Sequence, residues 1–151
     1  MKFLVTQELG RLSKWLRILG YDTVYVREEN VYSIIMESFK ENRIIITKNK
    51  RFLQHPGVNV VVLNSNDYRN QLREVIKRLK IPLDSHKMFS RCVICNLELE
   101  VVHKKEQVKH KVPQYVYDTH NVFYICRRCQ RIYWEGSHWG NVKDTLDKIL
   151  I

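Results

Sequence analysis

Four cysteines in two matched pairs constrain this chain more than any other feature of its sequence. The first pair is Cys92 and Cys95, the second is Cys126 and Cys129, and the chain has no other cysteine. C-x-x-C spacing presents two thiolates at one tight turn, and two such turns supply the four sulfur ligands of a tetrahedral zinc site. The spacing therefore predicts one structural Zn²⁺, with no open coordination position for chemistry.

Three other uses of these cysteines compete with zinc. Two disulfides would need an oxidising compartment, and the residues after Met1 lack the long apolar segment of a secretory signal. A thioredoxin-type redox pair needs one C-x-x-C in a βαβ setting, and inert buried thiols have no reason to occur at matched spacing. Zinc is favoured, and the expected location is the cytoplasm. The long gap between the two pairs predicts an insertion in the ribbon.

The second constraint is charge. The chain has 26 Lys and Arg residues against 16 Asp and Glu residues, a formal net charge of +10. Both parts are basic, with 15 basic and 9 acidic residues up to residue 84 and 11 and 7 beyond it. The predicted partner is a polyanion, either nucleic acid or an anionic membrane surface. A thermophile's charged surface would carry more matching acidic residues. No apolar segment is as long as a membrane helix, so nucleic acid is favoured and no membrane is expected.

Residues 1–84 alternate between short apolar segments and segments with helical spacing. Strands are predicted over residues 2–5, 23–26, 43–47 and 58–63, with helices between them and caps at Asn30 and Asp67. This alternation predicts a three-layer α/β domain with a mainly parallel sheet. Residues 81–86 read as a linker. Residues 85–151 then predict a small β domain of zinc-ribbon type, closed by a C-terminal helix over residues 141–151.

Short motifs in a fixed order cover almost the whole chain. They are Phe3-Leu4-Val5, Leu9-Gly10-Arg11-Leu12, Trp15-Leu16-Arg17, Leu19-Gly20-Tyr21-Asp22-Thr23, Glu41-Asn42-Arg43-Ile44-Ile45-Ile46-Thr47, Gln71-Leu72, Ser90-Arg91-Cys92, Cys95-Asn96, Ile132-Tyr133-Trp134 and Gly136-Ser137-His138-Trp139. With these motifs the chain resembles the Mut-seven C-terminal domain family. In that family a PIN-like ribonuclease domain is followed by a zinc ribbon, so the resemblance implies a PIN-like fold for residues 1–84.

The resemblance also implies a set of catalytic acids that this chain lacks. PIN-like nucleases place carboxylates at the C-terminal ends of parallel strands, where they hold one or two Mg²⁺ or Mn²⁺ ions that activate water. The matching positions carry Thr6 after the first strand, Asn49 after the third, and Asn30 or Val31 at the second helix. Neutral side chains bind these ions weakly, so the resemblance implies a degenerate site.

Several acidic residues nevertheless remain near these positions: Glu8, Asp22, Glu28, Glu29, Glu41 and Asp67. Among them, Glu8, Asp22 and Glu41 are the candidates for residual catalytic acids. Whether the chain is an enzyme stays open at this point. Mg²⁺ or Mn²⁺ is expected only if the nuclease site is active.

Basic and aromatic residues provide candidate RNA contacts, because Lys and Arg bind phosphate and exposed aromatic rings stack on unpaired bases. In the α/β part they are Lys48, Lys50 and Arg51 after the third strand and Arg11, Lys14 and Arg17 on the first helix. In the ribbon they are Lys104, Lys105, Lys109, Arg127, Arg128, His138 and Trp139. Three large apolar residues, Phe123, Ile132 and Trp134, are instead expected in the ribbon core.

These features support two main hypotheses from different classes. The first is an RNA-binding protein of ribonuclease ancestry with an inactivated metal site, ribosomal or ribosome-associated, with rRNA in a ribosomal subunit as the expected RNA. The alternative is a metal-dependent PIN-like ribonuclease with an altered acid set. A third, weaker hypothesis is a protein-interaction module that docks a partner through the ribbon.

Overall fold

The computed structural model describes residues 1–150, apart from the side chains of Ser137 and His138. Its larger sheet has four strands in the order β2–β1–β3–β4, all parallel. The strands are β1 (Lys2–Thr6), β2 (Asp22–Val26), β3 (Ile44–Thr47) and β4 (Val60–Val62). The helices α1 (Gly10–Ile18), α2 (Val31–Lys40) and α3 (Tyr68–Leu79) follow β1, β2 and β4. The predicted α/β class with a parallel sheet is confirmed.

Helices cover both faces of this sheet, because alternate strand residues point to opposite faces and both sets are apolar. Phe3, Val5 and Ile46 pack on one face together with residues of α1 and α3. Leu4 and Ile45 pack on the other face with residues of α2. The carboxyl ends of all four strands meet at one edge of the sheet, which we call the carboxyl edge, and the opposite one is the amino edge.

The boundaries of the helices follow from side chains that the sequence places there. The side chain of Asn30 accepts a hydrogen bond from the backbone N–H of Ser33, and that of Asp67 accepts one from Arg69. Both predicted N-caps are confirmed. Gly20 follows α1 with φ of +94°, and a Cβ there would lie 2.3 Å from the carbonyl oxygen of Lys87. Glycine is therefore required at position 20, where the chain after α1 passes close to the backbone of Lys87.

The second sheet is small and antiparallel. Its strands are β5 (Glu100–Val101), β6 (Tyr124–Ile125) and β7 (Ile132–Tyr133), in that order. The predicted insertion between β5 and β6 contains a 3-10 turn and the short helix α4 (Gln114–Thr119). We call residues 90–134 the ribbon. Phe123 is buried at its centre, with Ile132 and Trp134 packed alongside, so the predicted ribbon core is confirmed.

The C-terminal helix α5 (Ser137–Leu150) begins earlier than the predicted residue 141. Val142, Leu146 and Ile149 pack in the same core as α1 and α3, not in the ribbon core. The sequence assigned this helix to the second domain, but its apolar face is buried on the first. The division near residue 85 itself stays a prediction. Among the described residues, none of the helices has the length and apolar character that a membrane span requires.

Candidate metal centre and nucleic-acid interface

The four cysteine sulfurs form one cluster. Their Sγ atoms all lie within 4.8 Å of one another, and the Sγ atoms of Cys92 and Cys129 are 3.6 Å apart. A tetrahedral zinc with Zn–S distances of about 2.3 Å would hold its sulfurs about 3.8 Å apart, whereas a disulfide needs about 2.05 Å. All four are free thiols. In the part of the chain that the structure describes, no His, Asp or Glu joins this cluster. The donor set therefore fits a metal ion such as zinc.

The two cysteine pairs sit on equivalent turns, which we call the first knuckle (residues 92–96) and the second knuckle (residues 126–130). The N–H of Asn96 donates to the carbonyl of Cys92 at 2.9 Å, and that of Gln130 to the carbonyl of Cys126 at 2.8 Å. Asn96 and Gln130 both have left-handed φ, 66° and 65°. Asparagine tolerates this region better than most residues. The sequence thus builds the same thiolate-presenting turn twice.

Tyr133 is a further member of the cluster that the spacing of cysteines did not indicate. Its hydroxyl donates to Cys92 Sγ at 3.1 Å. Burial raises the pKa of Cys92, but the bonds from Tyr133 and from the backbone N–H groups of Cys95 and Ile94 outweigh it and lower the pKa to about 7. Burial and the neighbouring sulfurs raise the pKa of Cys95 to about 12. Four thiolates this close together would repel one another, so the four thiols cannot all ionise without a cation. A bound divalent cation offsets that repulsion.

Arg17 joins the first knuckle to the α/β part of the molecule. Only 8% of the residue is exposed. Its Nη1 donates to the carbonyls of Val93 (2.8 Å) and Ile94 (3.1 Å), and its Nε donates to the carbonyl of Thr23 (2.9 Å). Burial lowers the pKa of Arg17, and the nearby negative charge of Cys92 and Cys95 acts in the opposite direction. Nε and Nη1 of this guanidinium are thus engaged inside the molecule, which disfavours the RNA contact predicted for Arg17, and that contact stays a prediction.

Asn96 makes a second connection at the same place. Its side chain accepts from the N–H of Thr23 at 2.9 Å and donates to the Asp22 carboxylate at 2.7 Å. Asp22 also pairs with Arg43 at 2.8 Å, and Arg43 with Glu41 at 3.2 Å. Burial raises the pKa of Asp22, but the bonds from Arg43 and Asn96 and the positive charge nearby outweigh it and lower the pKa.

This placement separates two of the predicted residual acids, Asp22 and Glu41, from the third, Glu8. Asp22 opens β2 and Glu41 precedes β3, so both lie at the amino edge, away from Thr6 and Asn49. A metal ion at the carboxyl edge is therefore out of their reach. Their observed role is to hold Arg43, and in the case of Asp22 to anchor the first knuckle.

Replacing Arg17 with methionine is expected to lower the free energy of unfolding by about 3 kcal/mol. Hydrogen bonds from a charged donor contribute roughly 1.5–3 kcal/mol each, and three carbonyls, of which that of Thr23 is buried, would lose their donor. In a chain of this size that corresponds to a fall in Tm of roughly 6–12 °C. The measurement is thermal unfolding followed by circular dichroism.

The matched control for this substitution is Lys14→Met, on the same helix. Lys14 is exposed and forms no ion pair within residues 1–150, so the control should change stability by less than about 0.5 kcal/mol. Equal and small changes in both variants would show that the Arg17 contacts contribute little.

At the carboxyl edge, a single carboxylate organises the positions where nuclease acids were expected. Glu8 Oε1 accepts hydrogen bonds from Thr6 Oγ1 (2.6 Å), Thr47 Oγ1 (3.1 Å) and the backbone N–H of Lys48 (2.9 Å). Thr6 is 4% exposed and Thr47 is fully buried, and their hydroxyls lie 2.9 Å apart. Burial raises the pKa of Glu8, but these donated bonds outweigh it and lower the pKa. One oxygen of Glu8 is therefore occupied by protein donors.

The two other neutral positions are used as helix caps. Asn49 accepts from the N–H of Arg51 at 3.0 Å at the start of a 3-10 turn (Lys50–Gln54), and Asn30 caps α2. Asn49 also lines a cavity of about 130 Å³ with Thr6, Thr47 and three carboxylates, those of Glu8, Glu28 and Glu29. Glu28 and Glu29 follow the carboxyl end of β2. Their position after a predicted parallel strand could therefore have placed them at the carboxyl edge from the sequence alone.

A family model, the Mut7-C RNAse domain, matches residues 1–146. The chain belongs to the Mut7-C RNAse domain family. No match was found among the curated proteins or among the solved structures. The resemblance of its sequence motifs to this family is thus confirmed over nearly the full length. Ribonuclease-like ancestry follows from membership.

Most of the predicted basic residues of this Mut7-C chain are available at its surface. Lys50, Arg51, Arg11 and Lys14 are exposed, and Lys48 is half-buried. Lys48 directly follows β3, and its Nζ donates to the side chain of Asn66. Lys48, Lys50 and Arg51 follow β3 directly, and Arg11 lies in the first turn of α1, so these four residues lie at the carboxyl edge. They are next to the cavity lined by Glu8, which we call the Glu8 cavity, whereas Lys14 lies in the middle of α1.

The RNA contacts predicted for the second domain have more mixed surroundings. Arg127 pairs with Glu100, and Trp139 stacks on Phe89 with ring centroids 4.5 Å apart. Arg128 is exposed, as are Lys104 and Lys109 in the insertion, while Lys105 lies over the ring of Tyr117 at 4.6 Å. The side chain of His138 lies outside the described residues. The ribbon cations therefore form a second basic region, partly engaged with neighbouring side chains.

Proposed function

We propose that this Mut7-C protein binds RNA through its basic carboxyl edge and does not cleave it, with the ribbon folded around a structural zinc ion. The observation that carries the proposal is the use of Glu8: its Oε1 accepts hydrogen bonds from two hydroxyls and one backbone N–H, beside the positions where the family resemblance implies nuclease acids. A carboxylate with one oxygen committed to protein donors, beside neutral Thr6 and Asn49, offers little charge to a divalent ion.

Charge around the Glu8 cavity supports the same proposal. Lys48, Lys50 and Arg51 follow β3 directly. Positive side chains repel a divalent cation and attract phosphate, whose contacts position RNA without reading its sequence. The net charge of +10 extends this attraction over the molecule. An abundant, densely charged RNA such as rRNA is the partner that we propose, with the protein bound to a ribosomal subunit.

A second candidate, a metal-dependent ribonuclease with an altered acid set, is favoured by one observation. Glu8, Glu28 and Glu29 all line the same cavity. Each is already engaged, however: Glu28 accepts from two backbone N–H groups of its own segment, and Glu29 from the side chain of Gln7. Their oxygens are also too dispersed to form a common metal-ligand group within the described residues. We therefore place this candidate second.

Replacing Lys48, Lys50 and Arg51 together with alanine is expected to weaken RNA binding and to flatten its salt dependence. Each phosphate contact on a single strand contributes about 0.7 to the slope of log K against log salt, so three lost contacts should reduce the slope by about 2. The measurement is fluorescence anisotropy with a labelled oligoribonucleotide between 50 and 200 mM salt.

The matched control replaces three lysines at the amino edge with alanine, namely Lys2, Lys77 and Lys87. All three are exposed and, within residues 1–150, form no ion pair. The net charge changes equally, but the slope should change by less than about 0.7. Equal slopes for the two triple variants would argue against the carboxyl edge as the RNA site. Co-sedimentation with purified ribosomal subunits then tests the ribosomal part of the proposal.

A further inference from the structure

A stack of side chains lies beside the proposed phosphate-binding residues. Arg11 and Trp15 are four residues apart on α1 and so lie on one face of that helix. Both meet Tyr68, the first residue of α3: the guanidinium carbon of Arg11 is 3.9 Å from the Tyr68 ring centroid, and the Trp15 and Tyr68 rings are 6.1 Å apart and inclined by 20°. We call these three residues the Arg11 stack.

The position of the stack follows from the topology. The helix α1 begins after β1 and α3 begins after β4, and both strands end at the carboxyl edge. The first turns of the two helices therefore lie at the edge that also carries Lys48. Lys48 is itself tied to this end of α3, because it donates to Asn66, two residues before Tyr68. The stack and the proposed phosphate contacts form one continuous surface.

The chemistry of the stack differs from that of an ordinary surface cation. Arg11 is exposed and, in the part of the chain that the structure describes, pairs with no carboxylate. Its guanidinium is held over the Tyr68 ring. A planar guanidinium held in this way presents its other face for stacking, which lysine cannot do. Arg69 adds a further cation near the same ring, 5.1 Å from its centroid.

We propose that the Arg11 stack binds an unpaired nucleobase of single-stranded RNA while Lys48 and its neighbours hold the adjacent phosphates. This inference rests on the proposed RNA-binding function and adds the class of RNA to it. Bases in a duplex are stacked on each other and cannot reach such a platform, whereas unpaired bases stack on aromatic rings and guanidinium planes. Tyr68 and Trp15 contribute by fixing the guanidinium and by extending the flat surface.

The test compares a single-stranded oligouridylate with an oligoribonucleotide of equal length and charge in which abasic residues replace the nucleotides. The wild-type chain should bind the oligouridylate roughly 10- to 100-fold more tightly, the range expected from stacking of one base. Arg11→Lys keeps the charge but removes the plane, so it should reduce this ratio to near 1 with an unchanged salt slope. Arg131→Lys is the matched control, at an exposed arginine of the ribbon outside the proposed RNA-binding residues, and should leave the ratio intact.

Each outcome decides a different question. Salt-dependent binding with a base-to-abasic ratio near 1 in the wild-type chain would overturn the stacking inference and leave the proposed function standing. A ratio above 10 that Arg11→Lys does not reduce would also overturn it, because the base would then stack elsewhere. No binding to either oligonucleotide would overturn both proposals. Circular dichroism of Arg11→Lys and of a second variant, Trp15→Leu, verifies that the helices remain folded.

Discussion

Replacing Cys126 with serine is expected to leave the ribbon unfolded and without its metal ion. The binding free energy of a structural zinc ion in small domains is on the order of 10 kcal/mol. The whole stability of a typical protein is about 5–15 kcal/mol, so the ribbon's own small core of Val108, Val116 and Phe123 cannot make up the loss. Elemental analysis should give one zinc per wild-type chain and much less than one for the variant.

A matched control for Cys126→Ser is available in the other knuckle. Ile94 is 46% exposed and lies between two of the cysteines. Ile94→Ser keeps all four sulfurs and should retain one zinc, with stability changed by about 0.5 kcal/mol. A wild-type chain that contains no metal, or that contains two disulfides after purification under reducing conditions, would contradict the zinc assignment.

Loss of the metal ion should also destabilise residues outside the ribbon. Arg17 and Asn96 bind the first knuckle to Thr23 and Asp22 of the α/β part. Hydrogen exchange should therefore rise first in the ribbon and next in the last turn of α1 and the start of β2. The amide of Leu72, on α3, which takes no part in these contacts, provides the internal reference.

The parts of this structure that the sequence could predict are the local ones. Two C-x-x-C pairs predict a four-cysteine cluster because each pair forms its own turn, whatever the rest of the chain does. Asn30 and Asp67 could be recognised as caps because capping needs only the three residues that follow. The parallel strands were visible as apolar segments because both faces of the sheet are covered.

The parts that the sequence did not predict depend on long-range packing. Arg17 shares a sequence neighbourhood with Arg11 and Lys14, but only the docking of the first knuckle distinguishes the buried guanidinium from the exposed ones. Asp22 and Glu41 were predicted together with Glu8 as residual catalytic acids because all three side chains are carboxylates. Strand direction separates them, since both come at the start of a strand and Glu8 comes after the end of one.

The second large expected effect concerns cleavage. A phosphodiester-cleaving metal site gathers several carboxylates around a cation, and the cation contributes several kcal/mol to the transition state. Since each 1.36 kcal/mol is a factor of ten in rate, its absence should slow cleavage by on the order of 10³-fold. Thr6 and Asn49 are neutral, and Lys48 and Lys50 add repulsion. We expect no Mg²⁺- or Mn²⁺-dependent cleavage of RNA by the wild-type chain.

Restoring the missing acids should restore metal binding. In Thr6→Asp with Asn49→Asp, a new carboxylate would replace a hydroxyl that lies 2.6 Å from Glu8. Repulsion should lower the Tm of the metal-free variant, and Mn²⁺ should raise it again because the ion binds only the folded state. The same Mn²⁺ addition should leave the Tm of the wild-type chain unchanged. A Mn²⁺-dependent rise in the wild-type Tm would indicate a working metal site.

The central claim, RNA binding without cleavage, is tested most directly by a single-turnover assay. Wild-type protein in excess over a 5′-labelled single-stranded RNA is incubated with increasing Mn²⁺. The reference is the same buffer without divalent ions, since EDTA would remove the proposed structural zinc ion. We predict bound RNA and no cleavage above the reference at any Mn²⁺ concentration. Mn²⁺-dependent cleavage that Glu8→Gln abolishes would contradict the claim and identify the chain as an active ribonuclease.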